Sequence, residues 1–250
     1  MNAVPLAGKV AVVTGASRGL GKRICEGFAE VGMTVAMLSR TEAALAAAAA
    51  EIGPAAAAFP ADIANPADVA RAFSEIVRRL GAVDYLINNA ALGHLQSIEE
   101  ADDRLLQEEV GTNLLGAIYC MRAAIPLMRS RGGGHIVNVT SESTRSPYPF
   151  LAVYAATKAA VETLSAGLRT ELRGENIRVT ILRSGRMSES GFNRHWPEAR
   201  RVRYRELVQA QGFYAQSGDP ISPQIAARAI VDVIRMPLAA NVDLLELRPA

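Results

Sequence analysis

Tyr154 and Lys158 stand four residues apart in Tyr154-Ala155-Ala156-Thr157-Lys158, a segment of helical periodicity, so both side chains fall on one helix face. A phenol beside an ammonium can pass a proton. A free phenol titrates near a pKa of about 10, and a neighbouring positive charge lowers that value by favouring the phenolate. The spacing alone is common and usually structural. A second constellation lies near the start of the chain, in Val12-Val13-Thr14-Gly15-Ala16-Ser17-Arg18-Gly19-Leu20-Gly21, where a strand feeds a glycine-rich turn that opens a helix. Glycine at 15, 19 and 21 lets backbone approach a pyrophosphate closely, and the helix start adds amide donors and partial positive charge.

These groups need a scaffold. Short β-branched runs alternate with longer helical patterns, which predicts an α/β, doubly wound parallel sheet of Rossmann type with helices on both faces. Strands are predicted at Lys9–Thr14, Met33–Leu38, Ala55–Pro60, Val83–Ile87, His135–Thr140, Ile177–Leu182 and Val242–Leu247. Helices are predicted at Leu20–Val31, Glu42–Ile52, Pro66–Leu80, Asp102–Ser130, Ala152–Arg173 and Pro223–Met236. Seven strands and six crossovers use nearly the whole chain, so residues 1–250 read as a single domain. Ser184 to about Ser222 is the one long irregular stretch, broken by Pro197, Gly212, Gly218 and Pro220. It follows the sixth strand, at the sheet edge where such folds bind ligands, and reads as a substrate lid.

Composition excludes other classes. With 27 Lys+Arg against 25 Asp+Glu the formal charge is +2, too little for a chain that grips a nucleic-acid backbone, and a 50% hydrophobic content argues against long disorder. No uninterrupted apolar run approaches a membrane span, and residues 1–9 lack the pattern of a secretory leader. Cys25 and Cys120 are too few and too far apart for a disulfide framework or a metal knuckle, which predicts two reduced, buried thiols and a cytoplasmic setting. Only Lys9, Lys22 and Lys158 are lysine among the 27 basic side chains, so each is worth questioning.

The glycine spacing, Gly-x-x-x-Gly-x-Gly, is wider than the usual dinucleotide fingerprint, and here the chain resembles the short-chain dehydrogenase/reductase family in its subgroup of about this length. Thr14 to Gly21 fits the family motif closely. Further matches follow in order: Asp62-Ile63, Asn88-Asn89-Ala90, Asn113, Ser141 and the Tyr154 to Lys158 segment, so that the resemblance spans about residues 6 to 248. It implies that Tyr154 donates a proton in carbonyl reduction and accepts one in alcohol oxidation, with Lys158 lowering its pKa and holding the nicotinamide ribose. Ser141, thirteen residues before the tyrosine, would orient and polarise the substrate oxygen. Asn113 matches the helix asparagine that holds a water linking the lysine to solvent. A polar residue bridging a helix irregularity is the plainer reading of Asn113, and the two roles can coexist. Gly15, Ser17, Arg18, Gly19, Leu20, Gly21, Asp62, Ile63, Asn89, Ala90, Gly185 and Met187 would bind the cofactor alongside Tyr154 and Lys158. No metal is expected, since Ser141 and Tyr154 supply the polarisation.

The corner after the second strand carries Ser39-Arg40 rather than a carboxylate, and Arg18 and Arg40 together favour a 2′-phosphorylated ribose, hence NADP(H) over NAD(H). The chain departs from the family pattern at several points. Ala91 replaces the usual glycine after Asn88-Asn89-Ala90, and Ser184-Gly185 replaces Pro-Gly. Glu189 stands where a hydroxyl is common, with Ser188 and Ser190 as substitutes at hand, and Glu142 and Thr144 replace small residues after Ser141. Arg194, His195, Arg200, Arg201, Arg203 and Arg205 crowd the lid. They read first as a solvated, ion-paired face supported by Glu198 and Glu206, and second as a landing surface for an anionic substrate or acidic carrier. Phe150, Met187, Phe192, Trp196, Phe213 and Tyr214 can line a pocket for a medium-sized, largely hydrophobic ketone or alcohol.

The expected protein is therefore an NADP(H)-dependent oxidoreductase acting on a small ketone or secondary alcohol. The alternatives are a 3-oxoacyl thioester reductase served by an acidic carrier protein, and a catalytically silent nucleotide sensor. The small residues Gly116, Ala117, Ala159, Ala160 and Gly167, on helices that relatives pair between subunits, add the expectation of a homodimer or homotetramer.

Overall fold

A computed structural model describes residues 3–189, 191–213 and 219–250; Ser190, Tyr214 and Gly218 lie outside the described residues. Seven strands form one parallel sheet: β1 (Val10–Thr14), β2 (Thr34–Ser39), β3 (Ala56–Pro60), β4 (Tyr85–Asn88), β5 (Gly134–Ser141), β6 (Ile177–Ser184) and β7 (Leu244–Leu247), in the order β3-β2-β1-β4-β5-β6-β7. The register shows why these runs are strands. Ala11, Val13, Val35, Met37, Ile87 and Val137 face one core, while Val12, Ala36, Leu86 and Ile136 face the other, so both faces are apolar and both must be covered.

Three helices cover the first face: α1 (Gly19–Glu30), α2 (Glu42–Ile52) and α8 (Pro223–Ile234), through residues such as Ile24, Phe28, Leu45 and Ile230. The second face takes α3 (Pro66–Leu80), α5 (Gly116–Ser130) and α6 (Ala152–Glu171). The predicted fold class holds. Chain order reverses between β1 and β4, and a ligand crevice forms beyond the carboxyl ends of the strands at such a switch point.

Two elements differ from the sequence reading. The predicted helix Asp102–Ser130 is α4 (Asp103–Val110) joined to α5 through a π-helical turn at Gly111–Leu115, and the widened turn carries Asn113. Asp103–Ser130 is also apolar enough, at a mean hydropathy of 1.2 over 18 residues, to pass for a membrane span. It is a crossover on the sheet, with Cys120, Met121, Ala124 and Met128 buried beneath α5. The stretch read as irregular after β6 contains a full helix, α7 (Glu198–Ala210), which buries only Tyr204 and Val208 and so shows little apolar periodicity.

Candidate active site

The carboxyl ends of the strands open on a cleft of about 1070 Å³ lined by Gly15, Ser17, Arg18, Leu20, Gly21, Arg40, Asp62, Ile63, Asn89, Ala90, Ser141, Tyr154, Lys158, Gly185 and Met187. Two proposed site residues do not line it: Gly19, inside the glycine turn, and Asn113, buried behind the wall.

At the β1 end, Gly15 and Gly19 adopt positive φ, +66° and +54°, which a side chain would strain. A Cβ on Gly21 would stand 2.3 Å from the Gly15 carbonyl oxygen. The turn therefore folds back on itself only because it lacks side chains. Arg18 caps α1 without a side-chain hydrogen bond, so the first amides of the helix have no internal acceptor, as an anion cradle requires. These features fit a dinucleotide pyrophosphate. Thr14, which the sequence reading did not single out, fastens the cradle to its neighbour: Asn89 N and Ala90 N both donate to Thr14 Oγ1 at 3.0 Å. Asn89 Nδ2 in turn donates to Thr14 O at 2.9 Å, so the Asn89 amide holds the crevice open rather than reaching into it.

At the ribose corner, Ser39 Oγ donates to Ser17 Oγ at 3.2 Å. Arg40 pairs with Glu108 at 3.2 Å, and Glu108 also lies 3.3 Å from His94 Nε2. Arg18 forms no ion pair among the described residues. Asp62 accepts from Ala64 N at 3.0 Å, which closes the turn after β3.

Ser141 ends β5 and Tyr154 lies in the first turn of α6, and the serine hydroxyl stands near enough to act on the phenol. Burial pushes the Tyr154 phenol up to about 12 against the lowering pull of Ser141, and the Glu109 carboxylate adds to the rise. The ring packs on Gly93, where a Cβ would lie 3.1 Å from Tyr154 Cδ2, and on Phe192 at 4.9 Å between centroids. Lys158 is buried, donates from Nζ to Val139 O at 2.8 Å, and is lowered by burial to about 8. In the protein alone, the phenol thus moves opposite to the sequence expectation, because desolvation outweighs the pull of Ser141.

Asn113 is fully engaged with protein. Its Oδ1 accepts from Leu92 N at 2.9 Å, and its Nδ2 donates to Leu92 O at 2.7 Å and Thr157 Oγ1 at 3.1 Å. Thr157 Oγ1 donates to Tyr154 O at 2.7 Å, so the π turn ties the loop after β4 to the helix that bears the tyrosine. Two neighbouring hydroxyls are structural, Thr140 and Thr144 donating to Glu162 at 2.8 and 3.1 Å; Ser143 N donates to Ser141 Oγ at 3.2 Å, while the Ser143 hydroxyl is buried without a hydrogen bond among the described residues.

The segment after β6 covers the site. Trp196 Nε1 and His195 Nε2 meet the Gly93 carbonyl at 2.6 and 3.0 Å, and Leu95, Leu151, Trp196, Tyr204 and Val208 form a small core beneath it. Four of its arginines are occupied: Arg201 and Arg205 pair with Glu198, Arg200 pairs with Glu100, and Arg203 lies over the Phe150 ring, while Arg194 forms no ion pair among the described residues. Ser188 Oγ turns to Ile221 O at 3.4 Å, and Glu189 takes a left-handed conformation (φ +53°) away from the cleft. Glu142, by contrast, stands in the wall of the cleft, with Oε1 accepting from the Tyr148 hydroxyl at 2.6 Å.

The short chain dehydrogenase family model matches residues 9–201, from the glycine turn through Tyr154 and Lys158. The chain belongs to that family. Sorbitol dehydrogenase of Cereibacter sphaeroides is 38% identical over 175 residues, 69% of this chain and 68% of that one. Among solved structures, a 3-ketoacyl-(acyl-carrier-protein) reductase from Brucella melitensis complexed with NADH superposes at a TM-score of 0.85 and 31% identity, covering 97% and 98% of the two chains. The closed form of a serine dehydrogenase complexed with NADP+ gives 0.86 and 28%, covering 96% and 94%. Members of the family are oxidoreductases of the dinucleotide fold, and the cleft lies where that fold places its ligand.

Proposed function

We propose that this short-chain dehydrogenase interconverts a carbonyl and a secondary alcohol with NADP(H), using Tyr154 as general acid and base. The observation that carries the reading is the convergence of Ser141, Tyr154 and Lys158, with Lys158 Nζ 5.9 Å from the Tyr154 ring, on the glycine-lined cleft. The dinucleotide, when bound, supplies or accepts the hydride. In reduction Tyr154 gives its proton to the substrate oxygen while Ser141 holds that oxygen by a hydrogen bond; in oxidation the phenolate takes the alcohol proton. Lys158, placed on the same helix face, supplies the positive charge that favours the phenolate and a donor for the nicotinamide ribose. Tyr154→Phe should lower kcat at least a hundredfold and leave nucleotide affinity within a few-fold; retention of most turnover would overturn the assignment.

Preference for the 2′-phosphate is supported by Arg18, which has no ion pair among the described residues, and by Arg40, whose exposed pair with Glu108 a phosphate can replace. Comparable or better efficiency with NAD(H) would refute it. The lid read at about 184–222 is carried, among the described residues, by the segment after β6 that bears Trp196, and two buried, unpaired thiols support a reducing, cytoplasmic setting. With Arg200, Arg201, Arg203 and Arg205 occupied, the lid supports a small-molecule substrate better than an acidic carrier.

A further inference from the structure

Glu142 is the residue after Ser141, on the short 3-10 turn Glu142–Thr144, and both residues border the cleft. A carboxylate there puts a charged acceptor in the same wall as Ser141. No ion pair involving Glu142 forms among the described residues, although 19 ion pairs elsewhere include most of the other acidic side chains of the α6 and β6 region. Its Oε1 is satisfied by the Tyr148 hydroxyl at 2.6 Å, a short charge-assisted bond that fixes the carboxylate's orientation. Its Oε2 takes no hydrogen bond from any described residue and lies beside Gly185, where a Cβ would come within 3.0 Å of it. Glycine at 185 therefore leaves room for this acceptor in the wall of the cleft.

We propose that Glu142, oriented by Tyr148, is an acceptor subsite for a hydroxyl on the carbon next to the reacting one, and that the enzyme's substrates are α-hydroxyketones and the corresponding vicinal diols. The charges of the wall select this class. An anionic substrate would meet the Glu142 carboxylate and be opposed by it. A neutral hydroxyl satisfies Oε2 without that opposition, and it repeats the bond that Tyr148 already makes to Oε1. In reduction a hydride adds to the carbonyl carbon and Tyr154 delivers the proton to its oxygen, giving a diol; the neighbouring C–OH is unchanged and only donates to Glu142. The cleft is then not wholly apolar, since Phe192 and Trp196 line it together with this carboxylate.

The subsite rests on the oxidoreductase reading above, and one experiment separates the two. Steady-state kinetics with NADPH would compare 1-hydroxy-2-butanone, 2-butanone and 1-amino-2-butanone on the wild-type protein, Glu142→Gln and Glu142→Met, with cofactor fluorescence confirming that each variant binds NADPH. Because a hydroxyl also activates the adjacent carbonyl, the diagnostic is how the hydroxyketone-to-ketone ratio of kcat/KM changes between proteins. That ratio should fall about 10- to 150-fold in Glu142→Met, mostly through KM, and by less in Glu142→Gln, which keeps a neutral acceptor. An unchanged ratio in Glu142→Met, with 2-butanone still turned over, would overturn the subsite and leave the oxidoreductase reading intact. A wild-type preference for the aminoketone that Glu142→Gln abolishes would overturn the hydroxyl in favour of an ammonium. No hydride transfer to any of the three, with NADPH bound, would overturn the oxidoreductase reading and the subsite with it.

Discussion

Glu109 is the most heavily constrained carboxyl in the molecule: 1% exposed, with Oε2 accepting from His94 N at 3.1 Å and Oε1 without a partner among the described residues. Burial, helped by the charge of Glu108, raises its pKa to about 7 from an ordinary 4.5. The sign follows from linkage. Below pH 4.5 both folded and unfolded chains hold the proton; between 4.5 and 7 the unfolded chain releases it first, so stability falls as pH rises through that window, by on the order of 2–3 kcal/mol. Glu109→Gln should flatten that slope and be the more stable protein at pH 8 in urea unfolding; parallel pH dependences in the two proteins would contradict this. The same variant removes a negative charge that raises Tyr154, so the alkaline limb of its pH–rate profile should move to lower pH. At this scale the family resemblance points to Ser141, Tyr154 and Lys158, and the fold brings the three to one cleft. The sequence does not reveal Glu109 or the role of Thr14, because their significance comes from partners such as His94 and Asn89, brought to them by the fold.

Among elements, α6 does more than present the tyrosine. Its Glu162 receives Thr140 at the end of β5, Thr144 on the following turn and the Arg183 guanidinium of β6 at 2.6 Å, and so fixes the turn that carries Ser141 from three sides. Burial opposes the charge on Glu162, but hydrogen bonds from Arg183 and Thr140 more than offset it and hold the carboxyl below its usual range. Glu162→Ala leaves Arg183 largely buried without that partner and should cost about 2 kcal/mol, less than a fully buried pair because both side chains keep some solvent contact. Its kcat should drop more than its KM rises, since a loosened turn misplaces Ser141; an unchanged kcat would show that the turn is held by other means. The strands were legible because residues such as Val12 and Val13 are apolar on both faces. The π turn at Gly111–Leu115 was not, since a five-residue hydrogen-bond step leaves no mark on a 3.6-residue periodicity. α7 escaped because its arginine-rich surface overwhelms the two residues it buries.

As a whole molecule, the sheet ends in an edge strand, β7, with Leu244 42% exposed and with Ile225 (53%) and Leu238 (64%) exposed on neighbouring elements. An apolar edge of this kind invites a second copy. Light scattering should give a mass that is a multiple of 26.6 kDa, and a 26.6 kDa particle at micromolar concentration would exclude assembly. Cys25 and Cys120 sit in the two cores, 0% exposed, and burial raises both thiols, so neither should react with a thiol reagent until the protein unfolds.

Trp196 is the only tryptophan in the chain, and its indole is hydrogen-bonded to the carbonyl of Gly93, the residue on which the Tyr154 ring packs. Any outward swing of the lid must therefore break that bond and wet the indole. The molecule carries its own fluorescent reporter of access to the site: an emission shift to the red marks the opened state, and its relaxation rate after mixing with NADPH times the gate without a label.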